Sequence, residues 1–334
     1  MFFSFSGKTA NDVWSQAATT LLENTDPQVE SRSGDTIEIL HTLIHIETPT
    51  QRWVTWRSPP MSIGFALAEL IWILAGSNDA GVINFWNPSL SRFSGSDSKY
   101  HGAYGHRIRT NFGFDQLERA YLTLKNNPKS RQSVILIWDP QKDVPDEAGL
   151  AVSDDIPCNI CSLLKMRDNK LEWTQIMRSN DIFLGLPYNL IQFTSMQEIL
   201  AGWLDVDVGS YCHYSDSLHL YCRDLSKVSI SKDERLTNED SLLVNKLDSC
   251  KAIESIYRRM EAISSNDVTE AELSELSELD TVHIAYRNIM YIIALYAADK
   301  KGYNSLAQTL QTQCSNDLFV SLWKQWKECK NNVG

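Results

Sequence analysis

No apolar run in this chain approaches the ~20 residues needed to cross a bilayer. The opening MFFSFSGKTANDVW has neither a basic start nor a long apolar core. Neither a membrane partner nor a secretory leader is expected. Positive charge is scarce: 31 Lys+Arg against 42 Asp+Glu leave a net charge of −11. A nucleic acid polymer would call for a basic surface, so no such partner is expected. Cysteine shows no framework. The seven cysteines are odd in number and irregularly spaced, as expected of reduced thiols in the cytoplasm. Cys158 and Cys161 make one C-x-x-C, but no second C-x-x-C stands with it. No metal is implied. A redox pair should open a helix, whereas Ser162-Leu163-Leu164-Lys165 reads as strand. There is also no internal repeat.

What is present is bulk and pattern. The chain has 334 residues, 43% of them hydrophobic, enough for a large core in one domain or in one domain plus an extension. Val13, Ala17, Leu21 and Leu22 lie on one side of a helix over 10–23. Glu30 to Asp35 is a polar loop. Thr36 to Glu47 is β-branched and apolar and reads as a strand, and Trp53 to Trp56 extends the sheet. Ser62 to Ala75 is a helix ended by Gly76. Ser89 to Lys99 is serine-rich and loop-like, and Tyr104-Gly105-His106-Arg107 resembles a known family's short YG-containing turn. Phe114 to Lys125 is a helix, Val134 to Trp138 a buried-type strand, and Gln141 to Val152 an acidic linker. Strands at Asn159–Met166 and Leu171–Met177 join at Arg167-Asp168-Asn169. A polar turn, Ser179-Asn180-Asp181, leads toward a helix over Tyr188–Trp203 and a strand over Val206–Tyr214. Beyond Leu225 the chain is charged and helix-forming, with helices expected at Asp248–Ile263, Asp280–Asp299 and Leu306–Trp326.

The stretch from Asp154 to Tyr221 gathers chemistry. Cys158 is a nucleophile beside a proline, and a nearby cation would lower its pKa. Arg178 can fork onto phosphate oxygens. Asn189 presents donor and acceptor together and can read a base edge. Glu69 lies among apolar neighbours in its helix, where burial would raise its pKa toward neutrality. Standing alone, Cys158 would read as a buried structural thiol and Glu69 as a solvated carboxylate.

The blocks IPCN, RSNDIFLGLPYN and HLY resemble thymidylate synthases and their relatives, the pyrimidine nucleotide hydroxymethylases. The resemblance implies an α/β (α+β) fold: a mixed β-sheet with packed helices over residues 1–225. The helical C-terminal extension over 226–334 is read from its own composition and lies outside the resemblance. The resemblance implies 5,10-methylenetetrahydrofolate as cofactor, a pyrimidine nucleoside monophosphate as substrate, and a homodimer. It also implies roles. Cys158 would add to C6 of the ring, and Glu69 would move a proton at the base oxygen through water. Arg32, Arg178, Ser179 and a second copy's Arg131 would hold phosphate. His219 and Tyr221 would bond the sugar hydroxyl. Trp86, Asp181, Leu184, Gly185 and Tyr188 would line the folate site. Asn189 favours a uracil base, since a carboxylate there would prefer cytosine.

The chain departs from the family in places. Gln132 stands where a second arginine is usual, Ser89 replaces a tryptophan, and Asn159 stands where synthases carry histidine. The ending lacks the usual strands and apolar tail. Reductive methylation of dUMP is the leading expectation. Hydroxymethylation of dUMP, dCMP or CMP with water is the alternative, because exclusion of water decides the product. A non-catalytic nucleotide-binding protein is the third reading. It leaves the thiol without purpose.

Overall fold

The computed structural model describes residues 2–23, 28–95, 97–231, 236–265, 267–281 and 283–333. Ser96 of the serine-rich stretch and Val282 of the helix expected over Asp280–Asp299 lie outside them.

Strand β1 (Phe3–Gly7) runs parallel to β2 (Thr36–Ile46), and between them α1 (Ala10–Glu23) buries Val13, Trp14, Ala17 and Leu21. The expected continuation of the sheet at Trp53–Trp56 does not form. Those residues are irregular, with Trp53, Val54 and Trp56 buried and Trp53 packing edge-on to Phe319 at 5.2 Å. Aromatic burial against a distant helix outweighs their strand propensity. The next two residues, β3 (Arg57–Ser58), join a separate two-stranded ladder with residues 229–230.

Helix α2 (Ile63–Leu74) begins where the Ser62 hydroxyl accepts from the Phe65 N–H at 3.3 Å, and it stops before Gly76 at φ +74°. Short helices follow: α3 (Ala80–Trp86), α4 (Ser91–Ser94) and α5 (Tyr104–Arg109). The expected turn at Tyr104–Arg107 is thus a helical turn. After α6 (Gln116–Asn126) comes β4 (Val134–Leu136), an edge strand with Val134 and Leu136 exposed, where the apolar run suggested burial on both faces. The stretch read as an acidic linker opens with α7 (Pro140–Asp143). Its Asp143 is buried and takes both arms of Arg107, at 2.8 and 3.0 Å.

Strands β5 (Asn159–Arg167) and β6 (Lys170–Asp181) form a hairpin through Asp168 and Asn169, at φ +49° and +59°. Left-handed residues of this kind match the strand twist of a two-residue turn. Helix α8 (Leu186–Leu204) is buried on nearly every side, polar residues such as Asn189, Gln192 and Glu198 included. Then come β7 (Asp207–Tyr221), β8 (Ser229–Ile230), α9 (Lys246–Ser264), α10 (Glu270–Ser277), α11 (Ile284–Lys301), α12 (Asn304–Gln313) and α13 (Asp317–Val333). The single helix expected over Leu306–Trp326 is two, broken at Cys314–Asn316.

The main sheet has the order β1-β2-β7-β6-β5-β4 and is mixed: β1/β2 and β6/β7 are parallel, the other pairs antiparallel. Its burial pattern changes phase along one line. In β2 the buried positions pass from Ile37 and Ile39 to Thr42, Ile44 and Ile46, across His41 at φ +56°. In β7 they pass from Tyr211, His213 and Ser215 to Leu218 and Leu220. In β6 they pass from Gln175 and Met177 to Asn180, leaving Arg178 and Ser179 half-buried between. The polar turn expected at Ser179–Asp181 is therefore strand. The chain turns only after Asp181, whose Oδ1 accepts the N–H groups of Phe183 and Leu184 at 2.7 and 2.8 Å.

The C-terminal helices share this core. Helices α9, α11 and α13 pack on α2, and α9 also meets α3 and α8. The approach of α11 is close: a Cβ on Gly64 would come within 2.6 Å of the Tyr296 ring. A chain ending at Leu225 would expose the apolar side of α2 that α11 buries. Such a truncation is expected to lose cooperative unfolding and to bind a hydrophobic dye. A sharp thermal transition in the shortened chain would contradict this.

Candidate active site

Cys158 sits immediately before β5, and Arg178 lies beside it on β6, linked by the Arg178 N–H donating to the Cys158 carbonyl at 2.9 Å. The guanidinium is fixed by the strand's approach. Its Nε donates to Pro157 O and its Nη2 to Ile156 O, both at 3.0 Å, and Nη2 stands 3.9 Å from Cys158 Sγ. Its face lies over the Trp138 ring at 5.7 Å. Burial pushes the thiol above its ordinary pKa, while the positive charges of Arg178 and Arg32 pull it back. Arg32 itself is exposed and paired with Asp154 at 3.0 Å.

Glu69 projects from α2 and accepts from Gln192 Nε2 of α8 at 2.6 Å. Burial raises its pKa to about 7, against the pull of that hydrogen bond. Tyr104 from α5 completes this corner. Its phenol is pushed well up by burial and by the potential negative charges of Cys158 and Glu69. Tyr104 and Gln192 were not singled out from sequence. The Y-G turn was the only trace of the first, and nothing marked the second.

Asn189, in the first turns of α8, is buried within a chain of amides. Its Nδ2 donates to Asn180 Oδ1 at 3.2 Å, and its Oδ1 accepts from Asn159 Nδ2 at 3.4 Å. Asp181 keeps one buried carboxylate oxygen, Oδ2, without a partner among the described residues. Burial raises its pKa, and His219, paired with it in register across β6 and β7, lowers it. Leu184 and Gly185 follow at the start of α8, both half-buried, and Tyr188 accepts from the Ser62 N–H at 3.1 Å. His219 and Tyr221 stack edge to face at 5.3 Å on β7, beside Asp181 and Thr36 respectively. Ser179 faces Ser217.

Two predicted residues lie elsewhere. Arg131 is exposed in the loop before β4. Trp86 is buried at the end of α3, its indole N–H donating to Ile293 O of α11 at 3.3 Å. Its ring meets that of Phe85 edge to face at 4.8 Å.

A family model described as thymidylate synthase matches residues 13–269. Deoxyuridylate hydroxymethyltransferase of Bacillus phage SP01 is 32% identical over 234 residues, covering 66% of this chain and 60% of that protein. Thymidylate synthase of Bacillus licheniformis is 28% identical over 204 residues, covering 59% and 68%. The fold resembles the crystal structure of thymidylate synthase from T4 phage with a TM-score of 0.50 at 22% identity, over 67% of this chain and 81% of that one. The chain belongs to the thymidylate synthase family. Its match spans about three-fifths of the SP01 protein's length.

Proposed function

We propose that the chain transfers a one-carbon unit to C5 of dUMP, with Cys158 as the nucleophile that adds to C6. The observation that carries this is the Arg178 guanidinium 3.9 Å from the Cys158 sulfur, with the Asn189 amide held by the same strands. Addition of sulfur to C6 places a negative charge on C5 and the base oxygen. Glu69, with a pKa of about 7, is suited to pass a proton there. Arg178, Ser179, Arg32 and a second copy's Arg131 hold the phosphate, and His219 with Tyr221 holds the sugar. Exposed Val134 and Leu136 on the edge strand near Arg131 support a homodimer. Among the described residues no helix is long and apolar enough to cross a membrane, and the cytoplasm is the proposed compartment.

The unpartnered Asp181 Oδ2 fits a folate, whose pterin carries N–H donors. Asp181, Leu184, Gly185 and Tyr188 would hold it, whereas Trp86, sealed against α11, would not touch it. 5,10-Methylenetetrahydrofolate would supply the one-carbon unit. Reductive methylation is the main reading. Hydroxymethylation is the second, favoured by Asn159 and by the similarity to the SP01 hydroxymethyltransferase.

Mass spectrometry of dUMP after incubation with the folate tests both readings. A gain of one CH2, with dihydrofolate absorbance rising, establishes methylation. A gain of CH2O without that rise establishes hydroxymethylation. No mass change on dUMP, dCMP, UMP or CMP would refute the proposal.

A further inference from the structure

The amide chain around Asn189 has a direction. Gln175 Oε1 accepts from the Ser162 hydroxyl at 2.6 Å and from Trp173 Nε1 at 3.2 Å. An indole N–H can only donate, so the Gln175 oxygen must face it. The Gln175 amino group then faces Asn159, donating to Oδ1 at 2.8 Å. Asn159 therefore turns its Nδ2 to Asn189 Oδ1, and Asn189 turns its own Nδ2 to Asn180 Oδ1. Asn180 is left with its Nδ2 toward His213 Nε2 at 3.0 Å. An amide nitrogen cannot accept, so Nε2 must be bare and the ring proton must lie on Nδ1, which stands 3.0 Å from the Tyr211 hydroxyl. Every member is buried, from Gln175 and His213 at 0% exposure to Asn189 at 6%. Burial also keeps His213 neutral, its pKa lowered to about 3.

The far end sets no direction of its own. A hydroxyl rotates, and a neutral imidazole can carry its proton on either nitrogen. Reversing the chain would cost only the hydrogen bond from Trp173, the one-way donor.

We propose that this relay, from Trp173 through Gln175, Asn159, Asn189 and Asn180 to His213, locks the Asn189 amide in one orientation and so selects uracil over cytosine. Uracil offers N3–H and O4, cytosine offers N3 and N4–H2. An amide in one orientation satisfies the first pair, and the same amide turned over satisfies the second. A free amide would serve both bases, whereas a locked one leaves the wrong base with unpaired groups. The proposal rests on the nucleotide reading above. Trp173, Gln175, Asn180 and His213 are positioning residues, acting through Asn189.

The test measures dissociation constants for dUMP and dCMP on the full chain without folate, alongside 15N NMR of labelled histidine. The wild type should bind dUMP at least about 100-fold more tightly than dCMP, with His213 as the Nδ1–H tautomer. Trp173→Phe should reduce that preference to within about tenfold, with Nε2–H appearing at His213. Nε2–H in the wild type overturns the relay, and needs no variant to fold. A folded Trp173→Phe with unchanged preference, or a wild type that prefers dCMP, overturns it too. Binding of neither nucleotide removes the nucleotide reading and this inference together. Tight dUMP binding with the wrong tautomer removes the relay alone.

Discussion

Cys158→Ser is expected to lower kcat by on the order of 10⁴-fold or more, with the dissociation constant for dUMP changed less than about threefold. The hydroxyl keeps the shape but is a poor nucleophile, and no second thiol replaces it: Cys161 lies farther along β5. Arg178 is anchored by the carbonyls of Ile156 and Pro157 rather than by the sulfur alone, so phosphate binding should survive. Because burial pushes the Cys158 thiol above its ordinary value, its alkylation in the free enzyme should accelerate as pH rises into the alkaline range. Retained turnover in Cys158→Ser would remove covalent addition from the mechanism.

Glu69→Gln is the second large effect. Turnover should fall about 10²- to 10⁴-fold, the usual contribution of a positioned proton donor or acceptor. The amide cannot supply the proton that a carboxyl titrating at about 7 can. Stability should move the other way. The carboxyl has a folded pKa of about 7 against an ordinary 4.5, so the folded state holds its proton more tightly between those values. Its contribution is fully present below pH 4.5 and is lost as pH rises toward 7, where a buried charge must form. Glu69→Gln should therefore be about 1–3 kcal/mol more stable than wild type above pH 7. That advantage should vanish below pH 4.5. Thermal melts at pH 8 and pH 4.5 measure it, and an equal difference at both would refute the assignment.

Local patterns were the legible part of the chain. Helix α2 declared itself through a dense apolar run closed by Gly76, and the β5–β6 hairpin through Asp168 and Asn169. The amphipathic α1 was equally plain. What escaped depends on partners distant in sequence. Ser179–Asp181 looks like a turn because its residues are polar, yet Asn180 is a strand residue satisfied by His213 and Ser215, more than thirty positions away. Trp53 and Trp56 have strand propensity but are buried outside the sheet, Trp53 against α13. Strand β1 is too short to stand out, although its Phe-Ser-Phe-Ser alternation carries the period of a strand. Within the site, Cys158, Arg178 and Asn189 were readable from their flanking blocks. The relay behind Asn189 was not, because its order is a matter of which donors can turn.

The packing of α11 against α2 also has a consequence during synthesis. Tyr296 and Gly64 meet across more than two hundred residues of chain. As the protein emerges from the ribosome, α2 is made early and its covering helix late. Until residues through Lys301 have appeared, the apolar flank of α2 has no native neighbour there. The nascent chain must carry that surface through most of its translation, so it should depend on chaperones that hold apolar segments, and pausing translation before α11 should promote aggregation.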